Sequence, residues 1–137
     1  WDHCLIVVET GGMRIVHWGD NRHNPPDDIW QALGHIDMAL LPVDASQHVM
    51  GHIHVQAIVD RLQPRIVVPH HYYIWDVVQR QSTLQTCDDW VNEHEVVERI
   101  AGSKRIYRIE EMDKLEAAVH YFGDNVAFDK EAWMAGT

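Results

Sequence analysis

Asp20 and His71 are the residues whose types and positions most suggest chemistry. Asp20 closes "MRIVHWGD", residues 13–20, and His71 follows "RIVVPH", residues 65–70, so each stands just beyond an apolar run of strand character. A carboxylate and an imidazole meeting at strand ends offer a divalent metal a hard oxygen and a borderline nitrogen on a rigid frame. Two ligands do not complete a tight site, which takes three or four. The spacing leaves a second reading open, in which Asp20 caps a helix near 27–34 and His71 stacks in a turn. His23, in the unwound "NRHNPP" after Asp20, is within reach of a substrate or of a ligand's outer partner, and Asp44, just after "IDMALLPV", is a candidate for the same supporting role.

Other candidates read more blandly. "GHIHVQA", residues 51–57, carries His52-x-His54, but on a helix His48 and His52 share a face while His54 points elsewhere, so solvated or capping histidines are expected. His17 alternates toward one face of its strand and is expected in the core. Cys4 and Cys87 lie far apart in no CxxC spacing and are expected as buried thiols. Trp30, Trp90 and Trp133 read as core residues, and Tyr72 and Tyr73 as packed aromatics.

The elements that must position these residues follow from the pattern. "CLIVVE" (4–9) and "MRIVHW" (13–18) around "TGG" predict a hairpin with a glycine turn. "DDIWQALG" (27–34), acidic at its start and closed by Gly34, predicts a two-turn helix. The apolar run 36–43 predicts a strand buried on both faces, and 47–62 an amphipathic helix that carries Met50, Ile53, Ala57, Ile58 and Leu62 on one stripe and runs through Gly51. Residues 65–68 predict another buried strand. From 13 to 72 the order is thus strand, helix, strand, helix, strand, which makes two crossover units and a parallel sheet whose functional loops gather at the carboxyl ends of the strands. Beyond it, 88–102 reads as one helix with Trp90, His94, Val97 and Ala101 on a stripe, 104–109 as a strand and 111–122 as a helix. No composition shift marks an internal boundary, so 1–137 reads as a single domain.

The 137 residues carry a net charge of −10 with no basic tract, which argues against a nucleic-acid partner. No apolar run approaches a membrane span, so no membrane partner is expected. Eleven histidines and 21 carboxylates supply many nitrogen and oxygen donors. The chain begins at Trp1 without an initiator Met or a signal-like segment, which points to an upstream part lying elsewhere and leaves localisation unread. Lys104, Lys114 and Lys130 do not follow the right strands for a receiver-like module.

"RIVHWGD" (14–20), "IDMALLPV" (36–43) and "RIVVPHHY" (65–72), in this order and at these intervals, resemble the C-terminal half of metallo-β-lactamase-fold hydrolases, in the branch of predicted metal-dependent hydrolases and lactonases. The resemblance implies an α/β fold: half of an αββα sandwich, with the hairpin leading into the strand-helix units, then C-terminal helices and a strand. It implies that Asp20 bridges two metal ions and that His71, before Tyr72, binds the second, with His70 at a variable position. It further implies a divalent metal, zinc foremost and manganese or iron next, whose bound hydroxide attacks an ester, lactone, amide or phosphoester of a small-molecule substrate. The family's His-x-His-x-Asp-His cluster belongs to the N-terminal half and is absent here, and Gln56 and Ala57 stand where its imitation at 52–57 would need Asp and His. The chain alone is therefore expected to be incomplete and inactive. With one sheet face left uncovered, it is expected to associate with itself or with a separate N-terminal half, through residues such as Ile6, Val8, Ile15 and Val67. The alternative is a non-catalytic α/β half-domain that serves as an interaction or assembly module.

Overall fold

The computed structural model describes residues 4–46, 49–74, 81–112 and 114–123. Its first unit is the hairpin, in which β1 (Ile6–Thr10) and β2 (Met13–His17) pair antiparallel with Thr10 opposite Met13. Gly11 and Gly12 form the turn at φ of 58° and 80°, the left-handed region that a two-residue turn between twisted strands requires and that glycine enters without a Cβ clash. From β2 the chain crosses over through α1 (Asp27–Leu33) to β3 (Met38–Pro42), and through α2 (His52–Leu62) to β4 (Ile66–His70). Both crossovers lay the next strand parallel to the last. Asp27 and Asp28 occupy the first turn of α1, where the helix dipole favours negative charge, and Gly34 closes it.

The remainder of the chain extends the same sheet. After α3 (Asp88–Asn92) come β5 (Val97–Arg99), α4 (Ile109–Met112) and β6 (Ala118–Tyr121), and β6 lies parallel between β4 and β5 in a sheet of order β1-β2-β3-β4-β6-β5. Here the structure corrects the sequence. The helix expected over 88–102 stops at Asn92, 104–109 forms no strand, and the expected helix 111–122 is a short turn followed by β6. Burying Val119 and Tyr121 in the sheet is worth about 1.5–3 kcal/mol each, more than the ~0.7 kcal/mol that separates residues on the helix-propensity scale. Pairing with β4 therefore overrides the local helical pattern.

The two faces of the sheet are unequal. Val16, Ala39, Leu41, Val67 and Val119 point to one face, where Leu33 of α1, Val55 and Ile58 of α2, and Trp90 and Val91 of α3 close the main core. Met13, Met38 and Ile66 point to the other, which Met112, Tyr107 and Leu115 cover in part. At the β1 end of that second face Ile6 and Val8 stay 55% and 46% exposed. Val67, named above with Ile6 and Val8 as an uncovered residue, is instead buried beneath the helices. Gly51 stands at the N-cap of α2 rather than inside it, and Ile53 points to solvent at 78% exposure because the buried stripe runs through Val55 and Ile58. Trp30 is half-buried against Trp18, and Trp133 lies outside the described residues.

Candidate metal centre

The strand ends position the candidate residues. One residue beyond β2 the Trp18 N–H still donates to the Leu40 carbonyl at 3.0 Å, after which Gly19, at a φ of 61°, turns the chain out of the sheet and Asp20 follows. Only glycine takes that left-handed turn without strain. The fully buried Trp18 donates its Nε1–H to the Arg22 carbonyl at 3.1 Å, and Asn21 donates its side-chain amide to the Cys4 carbonyl at 2.9 Å, which ties the loop after Asp20 to the hairpin. On β4 the His70 carbonyl accepts the Val43 N–H at 2.9 Å, and His71 then adopts a φ of 56°.

These turns bring His71 Nε2 to 3.8 Å from Asp20 Oδ1, with side chains 28% and 62% exposed. Asp20 does not cap α1, whose N-cap position is Pro26 without a side-chain cap bond. His17, expected in the core, is exposed: among the described residues no layer lies over its face of β2 there, and its ring stacks on His70 at 4.7 Å while Nδ1 accepts the Gly19 N–H at 3.0 Å. Burial, then the neighbouring His17 and His71, push His70 down to about 4, against the opposite pull of Asp20 and the Leu40 carbonyl. His70 is therefore neutral at pH 7, and its buried Nε2 has no hydrogen-bond partner among the described residues. Sequence reasoning passed over the His17–His70 stack. Its signal was the shared strand-end position of two histidines on strands that flank β3.

His23 stacks on His54 of α2 with ring centroids 3.7 Å apart and 7° between planes, and burial followed by the His54 ring lowers its pKa. His52 and His54 both lie in the first turn of α2, and His48 is outside the described residues. Asp44 is fully buried: its carboxylate accepts the Ser46 hydroxyl and the Met50 N–H, the latter at 3.2 Å, and its carbonyl accepts the Gln85 N–H at 2.8 Å. It thus staples the loop that leads from β3 into α2. Cys4, expected to be buried, is exposed beside β1, whereas Cys87 is buried and its thiol is pushed up to about 12, chiefly by that burial.

Asp20 and His71 have the donor types a divalent ion takes, yet among the described residues no group of three His, Cys, Asp or Glu side chains is arranged to hold one. The donors fit one flank of a metal centre, not a whole one. Parallel strands backed by helices, with a Gly-Asp turn and a histidine at the ends of the two strands that flank β3, make an α/β fold of metallo-β-lactamase type. The chain belongs to the β-lactamase superfamily domain family, which matches residues 3–71, half of its length. It is 38% identical over 73 residues to a UPF0173 metal-dependent hydrolase of Thermococcus onnurineus, across 53% of this chain and 32% of that protein. A UPF0173 metal-dependent hydrolase of Methanosarcina mazei is 34% identical over 75 residues, 55% of this chain and 32% of its own. The match thus spans about a third of the length of these curated relatives. A crystal structure from Thermotoga maritima, assigned to the Zn-dependent hydrolases of the metallo-β-lactamase superfamily, superposes with a TM-score of 0.65 over 84% of this chain and 56% of that one, at 23% identity.

Proposed function

We propose that this chain supplies the Asp20–His71 flank of the metal centre of a hydrolase, and that the remaining ligands come from outside the described residues. The observation that carries the reading is the 3.8 Å approach of Asp20 Oδ1 to His71 Nε2, two donors brought together by separate strand ends. When bound, a divalent ion such as zinc, or manganese or iron, would supply a Lewis acid and lower the pKa of water for attack on an ester, lactone, amide or phosphoester. Asp20 and His71 would hold the ion. His70, neutral and stacked on His17, would pack behind His71, while His23 and the loop stapled by Asp44 would border the substrate. The names of the relatives as metal-dependent hydrolases support this assignment.

Metal titration of the purified chain by calorimetry, with elemental analysis of the wild type beside Asp20→Ala and His71→Ala, tests it. Weak zinc or manganese binding by the wild type, lost in both variants, is the expected result. Binding identical in all three chains would remove both residues from the centre and favour the assembly-module reading.

A further inference from the structure

His71 holds a backbone conformation that its own side chain disfavours. At a φ of 56° it sits in the left-handed region, which strains a residue that carries a Cβ. Strain of this kind persists where the surroundings fix the chain on both sides of it. Before His71 the sheet does the fixing: Pro42 and His70 form the last pair of the β3–β4 ladder, and the Val43 N–H donates to the His70 carbonyl at 2.9 Å. Beyond His71 that ladder has ended, and other groups take over.

Two contacts hold the chain there, one toward each neighbour of β4. Toward β3, the main chain of Gln85 stands between the diverging strand ends. Its N–H donates to the Asp44 carbonyl at 2.8 Å, and its own carbonyl accepts the Tyr73 N–H at 2.9 Å. Toward β6, the Tyr72 hydroxyl donates to the Gly123 carbonyl at 2.5 Å, and the Tyr72 ring leans on Tyr121 with centroids 5.7 Å apart. Gly123 lies two residues past the end of β6, as Tyr72 lies two past the end of β4. The hydroxyl thus joins two parallel strands beyond the reach of their backbone pairing. Phenylalanine would pack against the core as well as Tyr72 does, so the hydroxyl is the part that ties the ends together.

We propose that Tyr72 is the positioning residue of the metal flank: its bond to Gly123 keeps His71 in the left-handed turn that brings Nε2 to 3.8 Å from Asp20 Oδ1. The proposal rests on the reading of His71 as a metal donor. With residues 70 and 72 both pinned, His71 cannot relax toward an extended conformation without breaking one of the two pins. Asp20 needs no such clamp, because its turn is made by Gly19, which enters the left-handed region without a Cβ to strain.

The test compares Tyr72→Phe with Tyr121→Phe, which removes a second phenol hydroxyl that donates to Asp88 at 3.1 Å and does not reach the His71 turn. Nuclear magnetic resonance of the metal-free chain reads the His71 backbone from its HN–Hα coupling and its Cα and Cβ shifts, and the approach to Asp20 from contacts between the His71 ring and the Asp20 Hβ atoms. Tyr72→Phe should lose the left-handed signature and the ring contact while circular dichroism shows an intact fold, and Tyr121→Phe should keep both. Zinc affinity by calorimetry should then fall about 10- to 100-fold in Tyr72→Phe alone. A wild-type chain that takes up no zinc would sink the metal reading and leave the resonance comparison to decide the role of Tyr72. A Tyr72→Phe chain with the wild-type His71 coupling and ring contact, or a Tyr121→Phe chain that loses them equally, would overturn the proposal.

Discussion

At the scale of single residues, backbone conformation separates function from fold at His71. A left-handed φ costs an L-residue about 1–2 kcal/mol, and a position chosen for the turn alone would hold Gly or Asn. His71→Asn should therefore leave stability within about 0.5 kcal/mol of the wild type, or raise it, while removing the donor proposed for the metal. Asp20→Asn should be equally mild, because Asp20 is 62% exposed and caps nothing. Urea denaturation of both variants checks this, and a loss above about 2 kcal/mol in either would mark that residue as part of the frame. The strand-end positions of Asp20 and His71 were legible in the sequence because each follows a strand whose length and neighbours are plain. The exposure of His17 was not, since alternation assigns a residue to a face without saying whether another layer covers that face.

At the scale of elements, the segment from 104 to 108 shows what replaced the expected strand. "KRIYRI" alternates as a strand should but pairs with no described strand, and Tyr107 instead lies across the second face of the sheet and donates its O–H to Nδ1 of the buried His120 at 2.9 Å. His120 Nε2 faces Glu98 at 3.4 Å, and Glu98 pairs with Arg105 at 3.1 Å, so strand ends and crossing segment are latched together. Burial lowers the His120 pKa and outweighs the pull of Glu98, and burial raises the Tyr107 phenol to about 12. The unfolded chain takes up a proton on this histidine near 6.5, before the folded chain does. The stabilisation is therefore complete above that pH and is lost as pH falls through the folded value, and His70 and His23, also lowered, act in the same sense. Stability should drop between pH 7 and pH 5, and Tyr107→Phe should cost about 1–2 kcal/mol at pH 7 by leaving the His120 nitrogen unpaired. Denaturant midpoints across that range measure both effects, and a flat profile with an unaffected variant would deny the latch. The hairpin and the units through β4 could be read in advance because period and punctuation agree there. From Trp90 onward they disagree, and β6 is held by pairing with β4 and β5 by pairing with β6, which no local pattern records.

At the scale of the whole molecule, one layer of helices holds the sheet from one side, and among the described residues the other side is covered where Tyr107, Met112 and Leu115 reach it. The register places His17 and His70 on that other side with Ile6, Leu40 and Pro42, and the Asp20–His71 pair sits at its rim. The relatives are about three times as long as the stretch they share with this chain. If the face is open, its residues contribute little to the isolated chain. Leu41→Ala, beneath the helices at 0% exposure, should cost about 2–5 kcal/mol. Ile6→Ala, at 55% exposure, should cost under about 0.5 kcal/mol when both are measured by urea denaturation at micromolar concentration. Comparable losses at the two positions would show that the second face is already covered in solution, and the missing ligands would then have to come from the layer that covers it.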